Sequence, residues 1–303
     1  MNALRKFFKQ HDVMSVNWNY ALYMAENAEA WMQMQHLDEI FQTVLAGERL
    51  TDMDTKHFRA TGQFRTDVPL ERHISIAQQK LASIDRNLKA GGVRLHKTYR
   101  DAFYVAGLAM AEIQLEHPPP RKSRQKMKRF LEFLDQELNA FTPLLMHAAW
   151  LLFSNPPGKI RFFGGLQGTK NPLALVRNFS WDLQHWFWVQ TAVSVPIRDG
   201  VFEIPLLMTF DKRFAEIVPA LQARSFAICG RGNPQPIYPL DARDLVSLFT
   251  KDPNVQEVLF DPARVLARAE RRTAANAELD GLIAAYETRL LERLRTAAAS
   301  NHV

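Results

Sequence analysis

Residues 171–214 read NPLALVRNFSWDLQHWFWVQTAVSVPIRDGVFEIPLLMTFDKRF, and the fold class turns on them. Leu173 to Val193 is apolar on most sides with a narrow polar stripe, the pattern of a buried helix. Asn178, Asp182 and His185 follow one another at four and three residues, so they share one helical face. A charged group inside so apolar a helix is costly unless something pairs with it. Ile204 to Met208 is an apolar run of strand length, closed by Thr209, Phe210 and Asp211. Pro205 suits the first residues of such a strand, or an edge. A carboxylate just past a buried strand lies where open α/β sheets place their ligands. Asp182 and Asp211 are therefore expected to converge. Two close carboxylates repel unless they share a proton or a cation, and Mg²⁺ or Mn²⁺ suits an all-oxygen pocket.

Nearer the N-terminus, Val13 to Val16 predicts a first strand that ends in Asn17-Trp18-Asn19. Together, NFSWD at 178–182, TFD at 209–211 with Phe214, and the N-W-N strand end resemble a PIN-like nuclease domain, in two patches covering about half the chain. In that family a first strand ends D-x-N, and a helix with an inward aspartate precedes a strand ending T-x-D. The resemblance implies an α/β fold, a PIN-like parallel sheet flanked by many helices. It also implies a Mg²⁺- or Mn²⁺-dependent endoribonuclease. Asn17, Asp182 and Asp211 would hold the metal, which would activate a water. Glu112 would be the remaining catalytic acid, with Asp101 and Glu116 competing for that place. Many such proteins are toxins or defence effectors, held in check by an inhibitory partner protein. Asn17 stands where the family has aspartate. It keeps the shape and loses the charge, whether by natural loss or by a change made to silence a toxic nuclease. The rival expectation is a non-enzymatic nucleic-acid-binding or protein-interaction module that kept the fold.

Each candidate has a plainer reading. Asp182 could be a buried acid satisfied by a neighbour, and Asp211 an N-cap for the helix after it. Asn178 could orient a nucleic-acid ligand or simply mark the early part of its helix. Lys212 and Arg213 could hold phosphate. Arg121, Lys122 and Arg124 open the run RKSRQKMKR, which could grip an RNA backbone, less readily DNA, by counterion release, or be a solvated face. Trp181, Trp186 and Trp188 are expected to pack in the core rather than stack on bases. No P-loop, zinc spacing or nucleophile elbow is present.

Net charge is +6 and the pI about 9.5, which favours an anionic partner. No apolar run reaches membrane-span length, so no membrane partner is expected. The single cysteine, Cys229, forbids an internal disulfide, and the basic N-terminus lacks a secretory pattern; both predict a cytoplasmic protein.

The remaining patterning is helical. Helices are expected over 20–46, Ile74–Leu88, Lys97–Glu116, Lys126–Ala140 and Leu144–Phe153, with 47–72 as a loop. Gly91-Gly92 should end a helix, with Val93–Leu95 as a short strand after it. Ile160–Phe163, Phe226–Cys229 and Ile237–Pro239 are further strand candidates. This divides the chain into a PIN-like domain at 1–250, with a helical insertion at about 20–155, and a C-terminal helix at 260–303. That helix has an apolar stripe of Leu279, Leu282, Ile283, Tyr286, Leu290 and Leu294. It could pair in a homo-oligomer, the favoured outcome, or pack on its own domain, or dock a partner.

Overall fold

Period-3.6 patterning dominates the sequence, and helices dominate the computed structural model. It describes residues 5–6, 8–9, 20–116, 122–154, 166, 168–192, 214, 218, 225–227, 235–237, 246 and 260–300. The chain divides into two units, Met1–Lys97 and Thr98–Val303.

In the first unit the helices are α1 (Ala21–Glu26), α2 (Ala28–Met32), α3 (Leu37–Thr51), α4 (Thr55–Thr61) and α5 (Leu70–Asn87). The single helix expected over 20–46 is thus three. Asn27 interrupts it, donating its side-chain amide to the Tyr23 carbonyl at 2.8 Å, a local bond that competes with the helix ladder. A second break has Met34 and His36 in left-handed conformation. The loop expected over 47–72 is partly helical: α3 continues to Thr51, and the Asp54 carboxylate caps α4 by accepting from the His57 N–H at 2.9 Å. The apolar faces of α3 and α5 close over Met24, Ile40, Val44, Ala77 and Leu81. Buried Glu48 is satisfied there by the Tyr20 hydroxyl at 2.8 Å and the Lys80 ammonium at 2.6 Å.

Gly91-Gly92 interrupts the helix as expected: Gly91 takes φ 109°, a non-helical conformation that side chains resist, and the path kinks there. The chain then re-enters α-helix at once, so Val93–Leu95 is the start of α6 (Val93–Glu116) and not a strand.

The second unit contains the residues of α6 from Thr98 on, α7 (Ser123–Gln136), α8 (Pro143–Ser154), α9 (Pro172–Ala192) and α10 (Pro262–Ser300). Phe103 to Ile113 of α6 are all buried. The small residues on α6 serve close approach, as the sequence predicts. A methyl group at Gly107 would run into the Ser180 hydroxyl and Val176 of α9. On α7, Met127, Phe130 and Leu134 face inward, and Phe130 meets Phe153 of α8 edge-on at 6.2 Å. The stripe on α10 is used within the unit: Leu279, Tyr286 and Leu290 are buried, and Tyr286 packs edge-on to Phe133 at 5.3 Å.

The expected α/β fold with a PIN-like parallel sheet is overturned. Among the described residues the strands are β1 (Ser225–Ala227) and β2 (Gln235–Ile237), paired antiparallel with Phe226 opposite Pro236. Short apolar runs do not distinguish a strand from a turn of buried helix, and at Val93–Leu95 helix prevails because a long helical segment adjoins the run. The expected strands at 13–16, 160–163 and 204–208 lie outside the described residues.

Candidate functional site

The helix deciding the reading, α9, forms as its periodicity demands. Asn178 is exposed on it, and Asp182 and His185 are half-buried. The His185 ring packs on Trp181 at 5.4 Å, and its buried Nε2 has no hydrogen-bond partner among the described residues. Burial pushes its pKa down to about 4, so the ring is neutral at pH 7. Trp186 is buried, and Trp188 packs edge-on to Tyr99 at 5.2 Å, so these rings serve the core. Asn17, Asp211, Lys212, Arg213 and Arg121 lie outside the described residues, and so does the expected meeting of Asp182 with Asp211.

The three acids expected to compete for the last catalytic place all face arginines. Glu112 is buried on α6, with the Arg289 Nε at 3.3 Å from one carboxylate oxygen and the Arg293 Nε at 3.1 Å from the other. Glu116 pairs with Arg129 and, at 3.7 Å, with Arg293. Asp101 is buried and accepts from the Arg100 Nε at 2.9 Å. A divalent cation at Glu112 would have to displace two guanidinium groups that already neutralise the carboxylate. No group of three or more His, Cys, Asp or Glu side chains able to hold a metal exists among the described residues. These residues therefore do not form the donor set that Mg²⁺ or Mn²⁺ would need.

The arginines come from α10, and the arrangement repeats. Buried Asp135, at the end of α7, takes the Arg264 Nη2 at 2.5 Å and the Arg268 Nη1 at 3.0 Å. Burial raises the Asp135 pKa, but the two guanidinium bonds outweigh it and hold the carboxyl below its usual range. The signal was present in the sequence. Arg264/Arg268 and Arg289/Arg293 are both i,i+4 pairs, and Arg289 follows Arg264 by 25 residues. That is about seven helical turns, so both pairs lie on one face. The two pairs seat α10 on buried acids of α6 and α7.

The basic run at the start of α7 separates into two sets. Lys126 is buried, donates to the Gln114 Oε1 at 2.9 Å, and has its pKa lowered by burial. Arg129 is engaged by Glu116. Lys122 and Arg124 are exposed, and neither forms an ion pair among the described residues. Lys128 lies one turn further on, exposed and only 3.9 Å from Glu132. The first turn of α7 contains no acid, so these cations stand at the positive end of the helix dipole. No helix among the described residues is long and apolar enough to cross a membrane.

Against known proteins, the chain matches no family model, no curated protein and no solved structure.

Proposed function

We propose that this chain binds nucleic acid through the cationic start of α7, as a non-enzymatic module. The observation that supports this is the exposure of Lys122 and Arg124 at a helix N-terminus with no acid in its first turn. Side-chain charge and helix dipole repel one another there, and a phosphate backbone relieves both. Lys128 extends the row, and the overall charge of +6 acts in the same direction. RNA is preferred to DNA as the partner because of the PIN-like sequence resemblance.

The test is fluorescence anisotropy with labelled single-stranded RNA and DNA over a salt series. Each phosphate neutralised on a single strand contributes about −0.7 to the slope of log K against log salt, so three cations give about −2. Lys122→Gln with Arg124→Gln should reduce the slope by about 1.4. An unchanged slope rejects the site.

A second reading is a Mg²⁺- or Mn²⁺-dependent endoribonuclease, lacking one charge at Asn17 and restrained by a partner protein. It is favoured by the half-buried position of Asp182 on α9, where the NFSWD pattern expects it. Asn17→Asp should then restore metal-dependent RNA cleavage, and adding Asp182→Ala should abolish it. Binding without cleavage in Asn17→Asp sustains the first reading and ends the second.

A further inference from the structure

The end of α7 and the start of α10 border an open cleft of about 430 Å³, lined by Asp135, Gln136, Arg264 and Arg271. Its volume falls within the range of small-ligand clefts. Two guanidinium groups face it, and each is fixed from behind. Arg264 gives one terminal nitrogen to Asp135 at 2.5 Å. Arg271 donates its Nε to the Asn139 Oδ1 at 2.8 Å and its Nη2 to the Asp135 carbonyl at 3.5 Å. Among the described residues this leaves Nε and Nη1 of Arg264, and Nη1 of Arg271, without a hydrogen-bond partner. Planar groups bonded to α7 on one side, with spare N–H donors on the other, match the geometry of an oxyanion.

The local charge points the same way. Of the charged groups lining the cavity, Arg264 and Arg271 face one carboxylate, Asp135, a surplus of one positive charge. Arg268 is buried against Asp135 and over the Phe141 ring at 4.8 Å, so its charge is held in place. Two other acids stand nearby and do not line the cavity. Asp261 accepts from the backbone N–H of Arg264 at 3.0 Å, and Glu137 accepts from the Tyr286 hydroxyl at 3.0 Å. A phosphate group complements this positive lining, because its several oxygens can accept from both guanidinium groups at once.

We infer that this cavity is a binding site for a phosphate monoester, recognised by Arg264 and Arg271. The phosphate could be that of a free mononucleotide or the 5′-terminal phosphate of an oligonucleotide. The site is separate from the Lys122–Arg124 row and does not depend on it.

Isothermal titration calorimetry on the full chain would test it with three probes: inorganic phosphate, adenosine monophosphate, and a short RNA with a 5′-phosphate or a 5′-hydroxyl. Arg271→Gln removes a donor and a charge, which should weaken binding about tenfold or more, since hydrogen bonds to charged groups exceed neutral ones. Gln136 is exposed, so Gln136→Glu adds a negative charge to the cavity without removing a core contact, and should also weaken binding. Tighter binding of the mononucleotide than of either oligonucleotide identifies a free ligand. A preference for 5′-phosphorylated RNA, kept in the Lys122→Gln/Arg124→Gln variant, identifies a strand end. The inference falls if no probe binds at millimolar concentration. It falls equally if Arg271→Gln and Gln136→Glu bind as the parent does while their circular dichroism is unchanged.

Discussion

His185 offers a direct test of whether α9 is buried as described. Its Nε2 is buried without a hydrogen-bond partner among the described residues, and burial lowers the pKa from 6.5 to about 4. The unfolded chain therefore binds a proton more readily than the folded one between those values, and stability must fall as pH drops through that window. Taking 6.5 unfolded and about 4 folded, the linkage integral is about 0.2 kcal/mol at pH 7 and about 2 kcal/mol at pH 5. His185→Phe keeps the ring volume and cannot titrate. At pH 7 it should match the parent or exceed it by about 1 kcal/mol, because an unbonded buried polar atom is removed. At pH 5 its advantage should grow by about a further 2 kcal/mol. Urea denaturation followed by circular dichroism at pH 7, 6 and 5 measures the difference. His96 and His147, also lowered by burial, contribute acid loss to both proteins and cancel in the comparison. If the gap between variant and parent is constant with pH, His185 is not in an apolar site and the placement of α9 is refuted.

Glu112→Gln leaves Arg289 and Arg293 facing a neutral amide. Both arginines are more than a third exposed and can turn to water, so the cost should be about 2 kcal/mol rather than the larger loss of a fully buried pair, read as a lower urea midpoint. Gly107→Val forces side-chain carbon against Ser180 and Val176 and should destabilise by about 1–3 kcal/mol by the same assay, whereas Gly281→Ala, with open space around it, should be neutral or stabilising. Asp135→Asn should remove part of the acid sensitivity below pH 4. A carboxyl held below its usual pKa contributes stability above the unfolded value and loses it as pH falls through the folded value.

Long amphipathic segments were legible because their period repeats many times. α5, α6, α8, α9 and α10 lie within a few residues of where the pattern puts them. What misled was short. Val93–Leu95 has the composition of a strand, but three residues carry no period, and the α-helix running on to Glu116 absorbs them. The 20–46 segment has a helical stripe throughout, yet Asn27 and the left-handed pair Met34 and His36 divide it. A stripe records which residues face the core and says little about whether the backbone between them is continuous. The parallel sheet was inferred from strand-length runs and a degenerate motif, neither of which specifies which partner a run pairs with.

The acids show the same limit in the electrostatics. Asp101, Glu112, Glu116 and Asp135 are the residue types a metal site needs, and residue type alone does not say whether a cation or an arginine will meet them. Asp101 meets the adjacent Arg100 and Glu116 meets Arg129, but for Glu112 and Asp135 the discriminating information lay about 130 to 180 residues away, in the i,i+4 arginine pairs of α10. A helix with arginines repeated on one face, beside an apolar stripe of Leu279, Tyr286 and Leu290, must either present those charges to solvent or find buried acids to receive them. Here it finds them, and each receiving carboxylate takes two guanidinium groups. Acids so paired have no charge left to recruit a metal. Lys122 and Arg124 at the start of α7 are, by contrast, exposed cations with no ion pair among the described residues.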